Sequence, residues 1–171
     1  MSIFFQDFAD KPLIVSFRGD YRFLSNFHPQ PVVLDGWEYP SVENAFQAAK
    51  TTDPILRARC LNCAPASAKT FGRDWRTRAA LRPDWDQRKL DIMLLLLRQK
   101  FAPASYFGLK LLATGNAELI EGNNWHDVYW GRCRCEFHGG LGRNHLGRLL
   151  MQIRTELQQA IIQAAKEDHH A

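Results

Sequence analysis

The hydrophobic periodicity of this 171-residue chain changes at Pro40. Before Pro40, Leu13–Phe17 and Pro31–Leu34 are short apolar runs, and Asp35-Gly36 supplies the residue types of a tight hairpin turn. After Pro40, apolar residues recur at helical spacing from Val42 to Ala49. Because the alternating strand–helix rhythm of a parallel sheet is missing, the pattern predicts a helix-dominated α+β fold with a small antiparallel sheet.

Helical patterns dominate the rest of the chain. Further helices are predicted at Ile55–Leu61, Ala66–Phe71, Asp84–Phe101, Ala104–Ala113 and Asn144–Ala165, and a further strand at Glu118–Glu121, ending in the turn residues Gly122-Asn123-Asn124. No repeat or linker divides the sequence, so we expect one domain over residues 1–165. The polar residues 166–171 are expected to form a frayed tail.

Composition limits the classes of protein to which the chain can belong. Hydrophobic residues make up 46% and charged residues 23%, which excludes a largely disordered chain. The net charge of +4 favours phosphorylated or nucleotide ligands without requiring them. The first residues lack the pattern of a signal peptide, and the longest apolar run, Ile92–Leu97, is too short to cross a membrane. We therefore expect a cytoplasmic protein with no membrane contact and with reduced thiols.

The four cysteines form two close pairs, Cys60/Cys63 and Cys133/Cys135. Together with His138 they suggest a zinc site, because zinc binds such pairs in proteins. The first pair, however, lies in a helical stretch without turn glycines, and the interval between the pairs matches no standard zinc finger. We therefore predict neither a metal nor a redox cofactor.

Glu43 and Lys50 are seven residues apart on the helix that follows Pro40. Two helical turns place them on one face, about 10.5 Å apart along the axis, where a direct ion pair is poor. A small ligand such as a pentose fits between them. The alternative is that Glu43 only complements the helix dipole and that Lys50 is a solvated base of the last turn.

Aromatic residues cluster in Trp125–Gly131, a predicted loop that also contains Asp127. Tryptophan faces stack on nucleobases with about 1–3 kcal/mol per base. A carboxylate beside aromatic walls is partly desolvated, which suits it to general-acid chemistry. The alternative is that Trp125 and Trp130 belong to the core and that Asp127 caps a turn.

Two further segments carry polar donors. The free backbone N–H groups at the start of the last helix bind phosphate readily, and Asn144 and Arg148 could add hydrogen-bond donors there. The alternative is that the apolar positions of the same helix simply form a stripe that packs on the core. In Phe17–Phe27, aromatic residues beside Arg18 and Asn26 suit the mouth of a pocket. An aromatic-rich strand and turn is the alternative for that segment.

Taken together and in order, these segments resemble the NADAR (YbiA-like) family of N-glycosidases. The matching pieces are Phe17-Arg18-Gly19, Phe23–Phe27, Tyr39–Lys50, Asp127–Gly131 and Gly142–Met151, over about residues 15–155. The resemblance implies a compact α+β domain that hydrolyses the bond between ribose and a base. Substrates of this family include phosphorylated intermediates of riboflavin biosynthesis and ADP-ribosyl adducts on guanine. The segment Arg132–His138 is richer in Cys and Arg than this pattern, which puts the choice of substrate in question.

The resemblance and the chemistry of ribosyl cleavage assign roles to the candidate residues. An oxocarbenium-like transition state needs negative charge near C1′ and protonation of the base, a task that Glu43 and Asp127 can divide. Lys50 either holds a phosphate or, if desolvated, attacks C1′ of an opened ribose to form a Schiff base. The predicted substrate-binding residues are Arg18, Gly19, Asn26, Trp125, Trp130, Asn144 and Arg148.

We therefore predict a hydrolase of N-glycosyl compounds that acts on a phosphorylated riboside or an ADP-ribosyl group, free or attached to nucleic acid. The alternative is a non-catalytic module that binds ADP-ribose, a nucleotide or single-stranded nucleic acid. Glu43 separates the two hypotheses, because a buried carboxylate repels a phosphate and is useful only to the enzyme. The natural base and the oligomeric state stay open.

Overall fold

The computed structural model of the chain describes residues 12–168. The prediction about a signal peptide and the end of the predicted polar tail concern residues outside this range. Within it, the strands are β1 (Leu13–Ile14), β2 (Val32–Leu34), β3 (Trp37–Tyr39), β4 (Glu118–Leu119), β5 (Gly122–Asn123) and β6 (Arg132–Cys133). The helices are α1 (Val42–Ala48), α2 (Pro54–Ala58), α3 (Pro65–Phe71), α4 (Trp75–Ala79), α5 (Trp85–Lys100), α6 (Tyr106–Leu112) and α7 (His145–Asp168), with a 3₁₀ helix at Gly19–Leu24.

The helix-dominated α+β class is confirmed, but the strands form three separate pairs. β2 and β3 form the predicted antiparallel hairpin around Asp35-Gly36, whose φ angles of 51° and 80° explain the turn residues found there. β1 pairs with β4 and β5 with β6, both in parallel. These two pairings were not predicted: β1 and β4 lie in segments that the sequence indicated, but their parallel pairing leaves no local pattern, and β5 and β6 are two-residue strands without a periodic signal.

Several predicted boundaries are wrong. Gly122 and Asn123, predicted as turn residues, form β5. The first strand ends at Ile14 because its partner β4 is equally short. Helix α4 was missed, although Asp74 caps it by accepting a hydrogen bond from the Arg76 amide. Helix α7 continues past Ala165 to Asp168, because neither glycine nor proline occurs among residues 166–168.

The core lies where α1, α5 and α7 meet the hairpin and β4. The predicted apolar stripe of α7 is buried there, as are Leu96 and Leu97 of α5. Among the helices of the described range, none combines the length and the apolarity that crossing a membrane requires.

Helix α1 departs from ordinary amphipathic packing, because every residue from Val42 to Ala48 is buried. Its polar residues therefore need partners inside the protein. Ser41 caps the helix by accepting a hydrogen bond from the Asn44 amide, and Asn44 Nδ2 donates to the carbonyls of Cys60 and Cys63, each at 2.9 Å. Of the remaining polar residues, Glu43 lines a cavity, and Gln47 donates a hydrogen bond to Glu43.

Candidate active site

Three adjoining cavities form one continuous cleft beside α1. The inner cavity, of about 140 Å³, is lined by Asn26, Phe27, Glu43, Phe46, Lys50, Lys69, Arg73, Met93, Glu121, Asp127 and Trp130. The outer cavity, of about 290 Å³, is lined by Phe17, Arg18, Gly19, Arg22, Ser25, Phe27, Lys69, Glu121, Gly122 and Trp125. The basic cavity, of about 380 Å³, is lined by Lys50, Gly72, Arg73, Thr77, Arg78, Leu81 and Trp85. Because the inner cavity shares residues with both others, it forms the middle of the cleft.

Glu43 lies in the first turn of α1 and faces the inner cavity. Its backbone amide donates to the carbonyl of Asn26 at 3.1 Å, which fixes the start of the helix against the segment before the hairpin. Its Oε1 accepts a 2.8 Å hydrogen bond from Gln47 Nε2. Burial raises the pKa of Glu43, against the opposing effects of that hydrogen bond and of the nearby charge of Lys69. Glu43 therefore accepts a proton more readily than an exposed carboxylate.

Lys50 follows α1 and lines both the inner and the basic cavity. Its Nζ donates to the carbonyl of Gly72 at 3.2 Å, while Glu43 bonds to Gln47, so the two predicted residues share a cavity without a direct ion pair. Burial lowers the pKa of Lys50, although Glu43 opposes the shift. A lowered pKa makes the neutral, nucleophilic amine more accessible.

Asp127 lies on the loop 124–131, which connects β5 to β6. Its Oδ1 accepts hydrogen bonds from the amides of Tyr129 and Trp130, at 3.1 and 2.8 Å. Asn123 holds the same loop, because its Oδ1 accepts from the Asp127 amide and its Nδ2 donates to the Asp127 carbonyl. Asp127 thus caps a turn, as the alternative interpretation stated, and also lines the inner cavity.

Glu121, which the sequence analysis missed, lies at the boundary of the inner and outer cavities. Burial raises its pKa to about 7, and the negative charges of Asp127 and Glu43 add to the shift. Three carboxyl groups therefore line one cavity. In the sequence, Glu121 is the last residue of a predicted strand, which does not suggest a catalytic role. The one indication is that an acidic residue lies six positions before Asp127.

Two basic residues of the inner cavity, Lys69 on α3 and Arg73 just after it, were also missed. Helix α3 packs against α1 and thereby brings both toward Glu43, where their positive charges partly offset the rise that burial causes in the pKa of Glu43. Their positions four residues apart are visible in the sequence, but the direction in which α3 faces depends on tertiary packing.

Five of the predicted binding residues line the cleft. Arg18, Gly19 and Trp125 lie in the outer cavity, where the Arg18 guanidinium is 6.0 Å from the centre of the Trp125 ring. Asn26 and Trp130 lie in the inner cavity. Trp125 is 45% exposed and available for stacking, whereas the half-buried Trp130 packs edge-on against the core residue Phe46 at 5.2 Å.

Asn26 carries a buried polar atom that the protein itself does not satisfy. The residue is 7% exposed, and its Oδ1 accepts no hydrogen bond from the described residues. Its Nδ2 contacts only the sulfur of Met93, at 3.5 Å. A buried acceptor of this kind beside a cavity is suited to a hydroxyl donor of a ligand.

The structure does not bring Asn144 and Arg148 to the cleft. Asn144 is buried, with Nδ2 donating to the Leu119 carbonyl at 2.8 Å and Oδ1 accepting from the Glu121 amide at 3.1 Å. It therefore positions Glu121 rather than lining a cavity. Arg148 is exposed on α7 and lines none of the three cavities.

The match to a known protein family covers most of the chain. Residues 14–158 match the NADAR domain, so the chain belongs to the NADAR family and the resemblance stated above is confirmed. The NMR structure of the Escherichia coli protein YbiA has the same fold, with a TM-score of 0.73, 34% identity and coverage of 89% of each chain.

Curated relatives carry two kinds of name. N-glycosidase YbiA of E. coli is 37% identical over 139 residues, which cover 81% of this chain and 82% of that protein. A riboflavin biosynthesis protein of Vibrio vulnificus is 35% identical over 140 residues, 82% of this chain but 36% of that protein. A chloroplastic riboflavin biosynthesis protein of Zea mays is 33% identical over 150 residues, 78% of this chain and 23% of that protein. The chain thus spans about a third or less of the two riboflavin biosynthesis proteins, and the predicted class of enzyme agrees with the name of YbiA.

Proposed function

We propose that this chain is an N-glycosidase that hydrolyses the bond between ribose and a base in a phosphorylated riboside or an ADP-ribosyl compound. The observation that carries the proposal is the buried Glu43, which faces Lys50, Asp127 and Glu121 across one small cavity. The name of the E. coli relative, N-glycosidase YbiA, supports the same reaction. A module that only binds phosphate gains nothing from three carboxyl groups around its ligand.

The shape of the cleft supports one orientation of the substrate. The inner cavity suits a group of pentose size, with Asn26 Oδ1 as an acceptor for a ribose hydroxyl. The outer cavity offers Trp125 and Phe27 as surfaces for the base. The basic cavity offers Arg73 and Arg78 as donors for the phosphate. Ribose therefore lies in the middle of the cleft, with C1′ near the carboxyl groups.

The carboxyl groups divide the chemistry of the step. The C1′–N bond breaks and its electron pair leaves with the base, which takes a proton from Glu121, because Glu121 lies at the boundary to the outer cavity and its pKa is about 7. The Asp127 carboxylate stabilises the cation at C1′. Water adds to C1′ and gives a proton to Glu43, whose raised pKa makes it the stronger base.

Lys50 offers a second route to the same products. Its neutral amine can attack C1′ of the ring-opened riboside; the C1′–N bond to the base then breaks, the base leaves with the proton that the amine loses, and water hydrolyses the resulting Schiff base to free Lys50 and ribose. The lowered pKa of Lys50 favours this role. Borohydride added during turnover reduces a Schiff base to a stable adduct. A mass increase on Lys50 supports the covalent route, and its absence assigns Lys50 to holding the phosphate.

The test of the function is mass-spectrometric detection of released base. The purified chain is incubated with 5-amino-6-ribosylaminouracil 5′-phosphate, its deaminated form, ADP-ribosylated guanosine and NAD. We expect release from at least one substrate, and loss of release in Glu43→Gln. Glu38→Gln is the matched control, since Glu38 is an exposed residue of the hairpin. Saturable binding of ADP-ribose without release from any substrate would instead favour the binding module.

A further inference from the structure

A cluster of four metal-binding side chains lies beside the loop that carries Asp127. Among the described residues, the ligand atoms of His126, Cys133, Cys135 and His138 all lie within 4.8 Å of one another. The two sulfur atoms, Cys133 Sγ and Cys135 Sγ, are 3.3 Å apart. Cys135 Sγ is 3.5 Å from His126 Nδ1 and 3.2 Å from His138 Nδ1. The two Nδ1 atoms are 3.3 Å apart. Four of the six donor–donor distances therefore lie between 3.2 and 3.5 Å, and all six lie within 4.8 Å.

These spacings are close to the edges of a tetrahedron around zinc. Zn–S bonds of about 2.3 Å and Zn–N bonds of about 2.0 Å place the ligand atoms of a tetrahedral site about 3.3 to 3.8 Å apart. The sulfur–sulfur distance of 3.3 Å is also far longer than a disulfide bond. Two thiols and two imidazoles in this arrangement are a donor set that suits zinc.

The backbone is shaped to form this cluster. Cys133 lies in β6, and a tight turn follows in which the Cys135 carbonyl accepts from the amides of His138 and Gly139. Gly139 and Gly140 have φ angles of 55° and 90°, which favour glycine and return the chain to Cys133. His126 also has a positive φ, 65°, an uncommon conformation for a residue with a side chain.

We propose that His126, Cys133, Cys135 and His138 bind one structural Zn²⁺ ion. Four protein ligands complete a tetrahedral shell, which is typical of a structural rather than a catalytic zinc site. The ion fixes His126, and thereby the neighbouring Trp125 and Asp127, to the turn that follows β6. The site rests on the ligand geometry alone and does not depend on the proposed function.

The proposal revises the zinc hypothesis of the sequence analysis. Cys60 and Cys63 are not part of this cluster; they lie beside α1, where Asn44 Nδ2 donates to both of their carbonyls. His126 takes the place of that pair. His126 was not predicted as a ligand, because the pairing of β5 with β6 that brings it close to Cys133 leaves no pattern in the sequence.

Metal analysis of the purified full chain tests the site. We expect about one zinc ion per chain after removal of loosely bound metal, and loss of the ion in Cys135→Ser and His138→Ala. Cys63→Ser is the matched control and should keep its zinc. Iron or copper in place of zinc, or equal zinc in wild type and Cys135→Ser, would overturn the proposal.

Cobalt substitution gives a readout that does not depend on the folding of any variant. The reduced, metal-free wild type is titrated with Co²⁺, and we expect saturation at about one equivalent with the visible absorption of tetrahedral thiolate ligation. Zinc should displace the cobalt. Hydrogen exchange should show faster exchange of amides 125–130 after chelation, with α5 unchanged. A featureless cobalt spectrum, together with unchanged exchange, contradicts the site.

Discussion

The two walls of the inner cavity are held in different ways. Glu43 lies on α1, a helix that is buried on all sides and packs against α3 and α5. Asp127 lies on the loop 124–131, which connects two strands of only two residues each and exposes Trp125 to solvent. The helix wall is therefore fixed by the packing of the core. The loop wall depends on a few hydrogen bonds and on the proposed zinc ion.

This difference predicts two kinds of mutational effect. A conservative change on α1 should alter the chemistry of the site while the packed helix stays in place. A change in the loop should alter both the chemistry and the position of its residues, because the loop is held by hydrogen bonds around Asp127 and by the packing of Trp130 on Phe46, without a buried helix behind it.

The largest expected effect is that of Glu43→Gln on kcat/KM. Loss of a general base lowers the rate by about 10²- to 10⁴-fold, while the packing of α1 should keep the fold intact. Steady-state kinetics and thermal melting measured together test this. A loss of activity matched by a loss of folded protein would contradict the assignment.

Substitutions of Asp127 separate charge from loop geometry. Asp127→Asn keeps an acceptor for the amides of Tyr129 and Trp130 but removes the charge, so activity should fall while stability changes little. Asp127→Ala also removes the cap, which costs about 1–2 kcal/mol. The two variants are compared by chemical unfolding and by hydrogen exchange of the loop. Equal hydrogen-exchange rates of the loop amides in Asp127→Asn and Asp127→Ala would show that the hydrogen bonds accepted by Asp127 do not fix the loop.

Gly72→Ala tests the rigidity of the helix wall. A methyl group at Gly72 would overlap Gln47 Oε1 and lie 3.2 Å from Lys50 Nζ. We expect Gln47 to turn away from Glu43, with a loss of about 1 kcal/mol for the broken hydrogen bond and a lower kcat. Gly115→Ala is a matched surface control, since nothing lies near the added methyl group, although its positive φ adds backbone strain. An unchanged kcat would mean that the Glu43–Gln47 hydrogen bond has no part in the reaction.

The pH dependence should show the titration of Glu121. Because its pKa is raised to about 7, kcat/KM should fall as pH rises through 7 and the acid loses its proton. The same group stabilises the folded state below its unfolded pKa, and this contribution is lost as pH rises through 7. Glu121→Gln should remove both effects. A wild-type profile that stays flat from pH 6 to about 8.5 would contradict the role of Glu121.

The last comparison concerns substrate affinity, which Trp125→Ala should weaken. Loss of a stacking surface costs about 1–3 kcal/mol, so KM should rise by about 5-fold or more with little change in kcat. Tyr106→Ala is the control, since Tyr106 is an exposed aromatic residue outside the cleft. A fall in kcat alone would show that Trp125 acts by positioning the loop instead.

The sequence predicted the helix wall better than the loop wall, for physical reasons. The Ser41 cap and the local apolar spacing determine α1, so the closeness of Glu43 and Lys50 could be inferred, although α1 ends at Ala48 and Lys50 lies beyond the helix on which it was predicted. The contents of the loop were visible as an aromatic cluster around Asp127. What could not be inferred was the parallel pairing of β5 with β6, because strands of two residues leave no periodic pattern in the sequence.

The site residues that were not predicted also depend on tertiary packing. Glu121, Lys69 and Arg73 reach the cavity only because α3 and β5 pack beside α1 and the loop. Asn144 was predicted at a phosphate site from the polar start of α7, but its amide is used to hold the backbone at Glu121. Local patterns thus indicate which residues are unusual, and tertiary packing decides which of them meet.

The most direct test of the account measures binding and turnover together on one variant. Equilibrium binding of the phosphorylated riboside and release of its base are compared in wild type, Glu43→Gln and Glu38→Gln. We predict that Glu43→Gln binds the riboside as well as or better than wild type but releases no base, while Glu38→Gln does both normally. Base release by Glu43→Gln at the wild-type rate, or binding by wild type with no release, would contradict the claim that this cavity is the active site of an N-glycosidase.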